Sequence, residues 1–384
     1  VFYDNLAGKV IHNAAKGLTD LGHDVRIISP IPFAPFPLTI FKSKWKNYAN
    51  VPVHVEVEGL SCYHPRYILF PSKALLNISS YLMYLGIAKI SKELITKYDI
   101  DCIHSHNLFP DGYSAMCLAK KYNKKYFITV RGTDIDINVN ATNSIKRLAS
   151  KILINADKVI SPSHQISIKL KTIFGVDSKV IENGVEKTFH NVNINENADI
   201  MFKGSKVILS VSRLLESKGV HYNIAAICRL VSKYPKLLYV IIGEGPFRDD
   251  LEKMVYQFNL QEKVIFLGQL THQEVKKYIT ACDIFSLPST QETFGLVYVE
   301  AMLEGKPVIC CSGQGIDGLI KNGISGILVS PNDVDDLVGK IEYLIQNAEV
   351  ADLIGIRGKC IAQNLTWENH VDKLLNVYMS SKLQ

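Results

Sequence analysis

Short apolar runs rich in Val and Ile recur along the chain, separated by amphipathic stretches long enough to form helices. A strand covered by helices on both faces reads as a continuous apolar run, so this alternation predicts parallel sheets built from βαβ units. In the first half the runs place strands at Val25–Ser29, Cys102–His104, Tyr126–Val130, Lys158–Ser161 and Lys179–Ile181, with a strand pair around Val53–Tyr63. In the second half they place strands at Val207–Val211, Tyr239–Ile242, Val264–Leu267, Ile284–Leu287, Val308–Cys310 and Gly326–Val329. Helical periodicity marks Val10–Leu21, stopped by Gly22, and a last helix from about Trp367 to Tyr378. The most apolar stretch, Leu75–Ile90, is interrupted by Asn77, Ser79 and Ser80 and reads as a buried helix, not a membrane span.

A length of 384 residues exceeds what one hydrophobic core usually supports. Apolar periodicity lapses at residues 190–204, where Asn accumulates as in a linker. The expected organisation is therefore two Rossmann-like doubly wound α/β domains, over residues 1–190 and 205–365, with residues 366–384 forming a helix that packs back on the first domain. A doubly wound domain normally opens with a strand, whereas this sequence enters a helix almost at once; the expectation is a truncated first strand, or its remnant at Val1–Tyr3.

Composition adds little. With 47% hydrophobic and 21% charged residues the chain is globular, neither disordered nor fibrous. A net charge of +6 is too small to indicate nucleic acid and favours anionic partners such as phosphates or acidic lipid surfaces. At Phe41–Tyr48, Lys42, Lys44 and Lys46 alternate with Phe41, Trp45 and Tyr48, a pattern suited to the surface of a membrane, although a solvated loop is commoner. Eight cysteines show neither paired nor zinc-type spacing, and there is no signal peptide, so a cytoplasmic protein is expected, soluble or peripheral on the inner face of the membrane.

The segment Ser286–Met302 (SLPSTQETFGLVYVEAM) carries the strongest chemical signal: a strand, a loop, a glycine, then a helix bearing a second carboxylate. Thr293, Phe294 and Gly295 stand at the helix start, where unpaired amides and the helix dipole attract a phosphate. Glu292 precedes that anion site, and Glu300 is placed to reach a ribose on the same phosphates. In Val211–Gly219 (VSRLLESKG) a strand leads to Arg213 and Lys218, two cations suited to clamping a diphosphate and neutralising a leaving nucleotide. Glycines follow strands at Gly243 and Gly245, where they make turns and permit close backbone approach.

These motifs resemble the family 4 glycosyltransferases of the GT-B fold, whose signature is two Glu separated by seven residues, matched by Glu292 and Glu300. The resemblance runs from Gly8 to the region of Trp367 and implies two Rossmann-like domains facing across a cleft. It also implies that Glu292 meets the donor sugar, Glu300 meets the ribose, and Arg213 and Lys218 bind the diphosphate. By the same resemblance Gly8 belongs to a glycine turn near the donor phosphate, Gly243 lies near the donor, and His106, in Ile103–Tyr113 (IHSHNLFPDGY), lies near the donor sugar and reacting hydroxyl. His106 and Glu292 are thus the catalytic candidates; a histidine that merely bridges backbone groups is the competing expectation for His106.

Two departures stand out. Gly313–Gly318 reads GQGIDG where many relatives have Gly-Gly-x-Pro-Glu, which weakens any transfer of contacts to Gln314 or Asp317. Arg131 replaces a common His before Gly132-Thr133-Asp134. Its guanidinium stays protonated and so cannot serve as a base, which leaves Arg131 and Asp134 as acceptor-binding candidates.

The resemblance implies a retaining transfer from a nucleotide diphosphate sugar to a glycan or lipid-linked acceptor of the surface-polysaccharide kind, with no cofactor. The pairs Asp99/Asp101 and Asp134/Asp136 invite a metal reading, but neither lies among the nucleotide signals, and metal dependence is expected to be absent. A nucleotide-sugar epimerase of related fold and a non-catalytic nucleotide-sugar binding protein are the rival readings; the first needs acid and base groups on both sides of the sugar.

Overall fold

Val207, Ile208 and Leu209 follow one another without a polar break, and all three are sealed from solvent. Such runs mark the strands throughout the computed structural model, which describes residues 6–33, 48–70, 75–132, 134–135, 142–185, 202 and 204–380. The chain divides into two units: Val1–Pro162, Ile166–Gly184 and Trp367–Gln384 form one, and Ser163–Gln165 with Val185–Thr366 form the other. The first unit thus ends at Gly184, ahead of the expected boundary at residue 190, and takes back the final helix. Apart from Phe202 and Gly204 the expected linker lies outside the described residues, as do Val1–Tyr3, Thr133, Asp136 and residues 41–47 of the basic-aromatic stretch.

The first unit opens with α1 (Leu6–Asp20), β1 (Arg26–Ile28), β2 (Ile31–Pro32), β3 (His54–Val57), β4 (Leu60–Tyr63), β5 (Arg66–Tyr67) and α2 (Leu76–Tyr98). It continues through β6 (Cys102–His106), α3 (Tyr113–Tyr122), β7 (Lys125–Thr129), α4 (Asn143–Ile154), β8 (Lys158–Ser161), α5 (His164–Phe174) and β9 (Lys179–Val180). Strands β6 to β9 form a parallel sheet in sequence order, while β1-β4-β3 and β2-β5 are separate small sheets among the described residues. The expected strand pair is a β3–β4 hairpin turned by Glu58 and Gly59, both at positive φ, as a two-residue hairpin turn requires. The short strands β2 and β5 were not expected, because two residues carry no readable period.

Helix α2 is only half of what its sequence predicted. Met83, Ile87, Leu94 and Ile95 are buried along one side, but Ile78, Tyr81 and Leu85 stand 47%, 50% and 50% exposed on another. No described helix is long and apolar enough to cross a membrane.

The second unit comprises β10 (Lys206–Val211), α6 (Val220–Leu230), β11 (Leu237–Ile242), α7 (Arg248–Gln257), β12 (Val264–Gly268), α8 (His272–Ala281), β13 (Ile284–Leu287) and α9 (Leu296–Leu303). After it come β14 (Val308–Cys311), β15 (Ile327–Val329), α10 (Val334–Gln346) and α11 (Ala348–Ala362), and α12 (Trp367–Ser380) returns to the first unit. The sheet order is β12-β11-β10-β13-β14-β15, with every pairing parallel. Strand order reverses between β10 and β13, and a doubly wound sheet binds its ligand at the carboxyl end of such a switch point.

Under that switch point lies a buried polar knot. The Asn223 amide of α6, wholly buried, donates to Ser210 Oγ at 3.1 Å, Tyr239 Oη at 3.2 Å and the Ser286 carbonyl at 3.0 Å, and its carbonyl accepts from Ser286 Oγ at 2.7 Å. The knot holds β10, β11 and β13 in register from one side chain. Asn223→Ala would leave the buried Ser286 hydroxyl without an acceptor, while the Ser210 and Tyr239 hydroxyls keep each other; a loss of about 1–3 kcal/mol is expected, measured as a lower denaturant midpoint at unchanged m-value.

Candidate functional site

The loops leaving β10 and β13 are tied together at the switch point. The Thr290 amide donates to the Ser217 carbonyl at 2.8 Å, and Ser289 Oγ donates to the same oxygen at 3.1 Å. Gly219 sits at φ +72° against Pro288, where a Cβ would overlap the Pro288 carbonyl oxygen, so only glycine allows this approach. Locked in this way, Lys218 Nζ meets Glu292 Oε2 at 2.7 Å with both side chains largely shielded, and Nζ also donates to the Gln291 carbonyl at 3.4 Å. Two residues 74 positions apart thereby form one charge pair at the carboxyl edge of the sheet.

Behind the pair stands the amino end of α9. Gly295 caps the helix at φ +83°, and the first-turn amides that follow have no helical partners. The Thr293 amide donates to Glu292 Oε1 at 3.3 Å, holding that carboxylate beside the helix entrance. Glu300 falls in the second turn of α9. Phe294, a donor-binding candidate, is 2% exposed and packs in the core, so only its backbone faces the loop. Gln314 and Asp317, discounted from sequence, hold the opposite wall: Gln314 Oε1 accepts from the Glu292 amide at 3.3 Å and Asp317 Oδ2 from the Gly313 amide at 2.6 Å. Gln314 carried no signal because it acts on a loop 22 residues away, and Asp317 because it braces its own loop in a segment that departs from the family pattern.

Other candidates fall differently. Arg213 is exposed on the β10 loop and makes no hydrogen bond or ion pair among the described residues. At Gly243 the missing side chain makes room for the Ser212 carbonyl, so the close approach it permits is between two loops of the protein itself. Gly8 is not a turn before the first helix but the third residue of α1. Glycine is tolerated there because first-turn amides need no partner within the helix.

The first unit presents a second constellation at the carboxyl ends of β6 and β7. His104 and His106 alternate on one face of β6, with ring centroids 4.4 Å apart. His104 is fully satisfied, Nδ1 against Tyr378 Oη at 2.7 Å and Nε2 against Thr129 Oγ1 at 2.9 Å. His106 makes no hydrogen bond among the described residues, and its Nδ1 is sealed from solvent. It is therefore not a histidine that bridges backbone groups. Arg131 follows β7, with its Nε also sealed and unpartnered, while its backbone amide donates to Asp134 Oδ2 at 3.0 Å. From α12, His370 Nδ1 donates to the Glu182 carbonyl at 2.7 Å, and Lys373 pairs with the Glu182 carboxylate at 2.7 Å.

Burial dominates the titration of this cluster. It pushes His104 down to about 3, His370 down to about 4 and His106 well below its ordinary value, with the neighbouring cations acting in the same direction. Burial also raises Asp134 to about 7 and Asp111 to about 6, against the backbone donors that favour their charged forms. All three histidines are neutral at pH 7. His370 was not singled out from sequence, since a lone histidine in a terminal helix carries no motif.

No group of three or more His, Cys, Asp or Glu among the described residues is arranged to hold a metal ion. Taken together, the six-stranded doubly wound unit with its charged switch point and the α/β unit before it have the architecture of the GT-B type. Family models agree: residues 7–189 match the model described as Glycosyltransferase Family 4, and residues 193–360 match that of the Glycosyl transferases group 1. The chain is 32% identical to the uncharacterized glycosyltransferase MJ1178 of Methanocaldococcus jannaschii, over 78% of this chain and 80% of that one. It is 25% identical to the putative teichuronic acid biosynthesis glycosyltransferase TuaC of Bacillus subtilis, over 87% and 85%. Among solved structures it resembles Anabaena Alr3699/HepE in complex with UDP-glucose, with a TM-score of 0.73, 19% identity, and coverage of 99% of this chain and 97% of that one. The chain belongs to the glycosyltransferases of family 4 and has their GT-B fold.

The buried histidines make stability fall in acid. A folded-state value of about 4 for His370, against an ordinary 6.5, means that its contribution is full above pH 6.5 and is lost as pH drops from there toward 4. Asp111 and Asp134 run the other way, since raised carboxyl values give a contribution that is lost as pH rises through about 6 and 7. His370→Gln removes one of the acid-sensitive terms. Between pH 6.5 and 4.5 its unfolding free energy is expected to fall less steeply than that of the parent chain, by up to about 1.4 kcal/mol per pH unit. Denaturant titrations at fixed pH values check this, and parallel slopes would count against it.

Proposed function

We propose that the protein is a retaining glycosyltransferase that moves a sugar from a nucleotide diphosphate donor to a hydroxyl of a lipid-linked or growing surface polysaccharide. The observation that carries this reading is the Lys218–Glu292 pair on the two loops at the switch point, beside the amino end of α9. Lys218, the exposed Arg213 and the α9 amides supply positive potential for a diphosphate. Glu292 faces the donor sugar and Glu300 the ribose, while Gly243 belongs to a loop near the donor and Gly8 to the first turn of α1. A uridine donor is favoured by the UDP-glucose found in the HepE structure, and a polysaccharide acceptor by the name of the TuaC relative.

In the transfer, the bond between the anomeric carbon and the leaving phosphate oxygen breaks as the acceptor oxygen bonds to the same face. The acceptor proton passes to the leaving phosphate oxygen. Arg213, Lys218 and the helix amides neutralise the charge that develops there, which removes the need for a divalent ion in that role. His106, with no internal hydrogen bond, remains available to a sugar or acceptor hydroxyl.

Peripheral binding at the inner face of a membrane fits the distribution of charge. The first unit carries 25 Lys and Arg against 16 Asp and Glu, a formal +9, and the second carries 18 against 21, a formal −3. The exposed stripe Ile78, Tyr81 and Leu85 on α2 continues into exposed Lys89 and Lys92 on the same helix, an apolar face joined to basic residues.

Nucleotide diphosphate release from UDP, GDP and ADP sugars, in EDTA and with membrane lipid extract as acceptor, tests the catalytic reading. Acceptor-dependent release is expected, falling at least about 100-fold in Lys218→Ala and in Glu292→Ala. Linkage analysis giving inversion at the anomeric centre, or release abolished by EDTA, would overturn the retaining or the metal-independent part. For the membrane, Tyr81→Glu combined with Leu85→Glu is expected to abolish co-sedimentation with anionic vesicles at low salt; unchanged sedimentation argues against that face.

A further inference from the structure

Two polar side chains in the first unit stand side by side without partners. Arg131 has Nε sealed from solvent, and none of its guanidinium nitrogens makes a hydrogen bond or ion pair among the described residues. Asp134 attracts it electrostatically, but the two side chains form no hydrogen bond or ion pair; Asp134 Oδ2 accepts from the Arg131 backbone amide instead. His106 makes no hydrogen bond either. Buried polar atoms in folded proteins are nearly always satisfied, and the sealed Nε of this half-buried arginine and the sealed Nδ1 of His106 are exceptions. The neighbours do not relieve them: His104 is committed to Tyr378 and Thr129, and His370 to the Glu182 carbonyl.

An arriving oxyanion would supply the missing partner to both groups. A guanidinium presents a planar fork that matches a carboxylate or phosphate, and a neutral imidazole beside it offers one further donor. The three histidines around it are neutral, so Arg131 is the cation of the cluster, with the Asp134 carboxyl, raised to about 7, as its acidic neighbour. The site lies at the carboxyl ends of β6 and β7, on the unit that does not carry the Lys218–Glu292 pair. We infer that Arg131 and His106 form an anion site that binds a carboxylate or phosphate group on the acceptor, so that the enzyme selects an acidic acceptor over a neutral one. The inference rests on the transferase reading only for the word acceptor; the anion site itself can be tested without turnover.

The experiment is thermal unfolding of the full chain at constant ionic strength, with glucuronate, glucose, inorganic phosphate or UDP added. Glucuronate or inorganic phosphate is expected to raise the midpoint by a few degrees at saturating concentration, while glucose does not. The shift should persist in Lys218→Ala, disappear in Arg131→Gln, and weaken in Arg131→Lys, which keeps the charge but not the fork. Without any anion, Arg131→Gln should melt at the same temperature as the parent chain or higher, because it removes a half-buried cation that has no hydrogen-bonded partner. A structural arginine would behave in the opposite way, and a midpoint lowered by several degrees in Arg131→Gln overturns the proposal. So does an anion shift that survives in Arg131→Gln. If only UDP shifts the midpoint, and Arg131→Gln abolishes that shift, the anion belongs to the donor and the acceptor assignment is wrong. Failure of all four probes also sinks the anion site, and leaves the transferase reading to its own release assay.

Discussion

The second unit depends on the contact between the loops that leave β10 and β13. Gly219 lies so close to the Pro288 carbonyl that no side chain fits, and the Ser217 carbonyl accepts from both Ser289 and Thr290. This brings Lys218 to Glu292 and sets the charge pair at the entrance of α9. Loosening the contact would dissolve the site while leaving each of its residues present. The Asn223 knot performs the same service one layer lower, fixing the strands from which those loops spring.

The two units solve the problem of buried polarity in opposite ways. In the second, the Asn223 knot beneath the sheet is satisfied internally, and Lys218 at the sheet edge is paired with Glu292. In the first, His104 and His370 are satisfied, but His106 and Arg131 are held in place and left without partners. Packing from β6, β7 and α12 keeps both there at an energetic cost. Proteins tend to accept such costs where a ligand is to be met.

Much of the architecture was legible in the chain. Val207–Val211, Ile284–Leu287 and Lys158–Ser161 announced buried parallel strands by their mostly apolar runs without alternation, because helices on both faces leave little room for polar side chains. The β3–β4 hairpin was legible for a related reason, its strands being bounded by a turn. Strands β2 and β5 were not, since two residues have no period, and the exposed side of α2 was hidden by a sequence that is apolar almost all round. Gly8 was misplaced because a glycine near a helix start reads the same whether it precedes the helix or lies within its first turn.

What the sequence determined by itself was local: the α/β class, the glutamate spacing that places Glu292 before a helix and Glu300 within it, and a loop bearing Arg213 and Lys218. Each follows from residues close together in the chain, where backbone geometry and periodicity act directly. Only the tertiary structure decided that Lys218 pairs with Glu292, that Gln314 accepts from the Glu292 amide, that Phe294 turns into the core, and that α12 brings His370 and Tyr378 to the histidines of β6. These are encounters between segments tens to hundreds of positions apart, and they are set by how the sheets and helices pack, which no local pattern records.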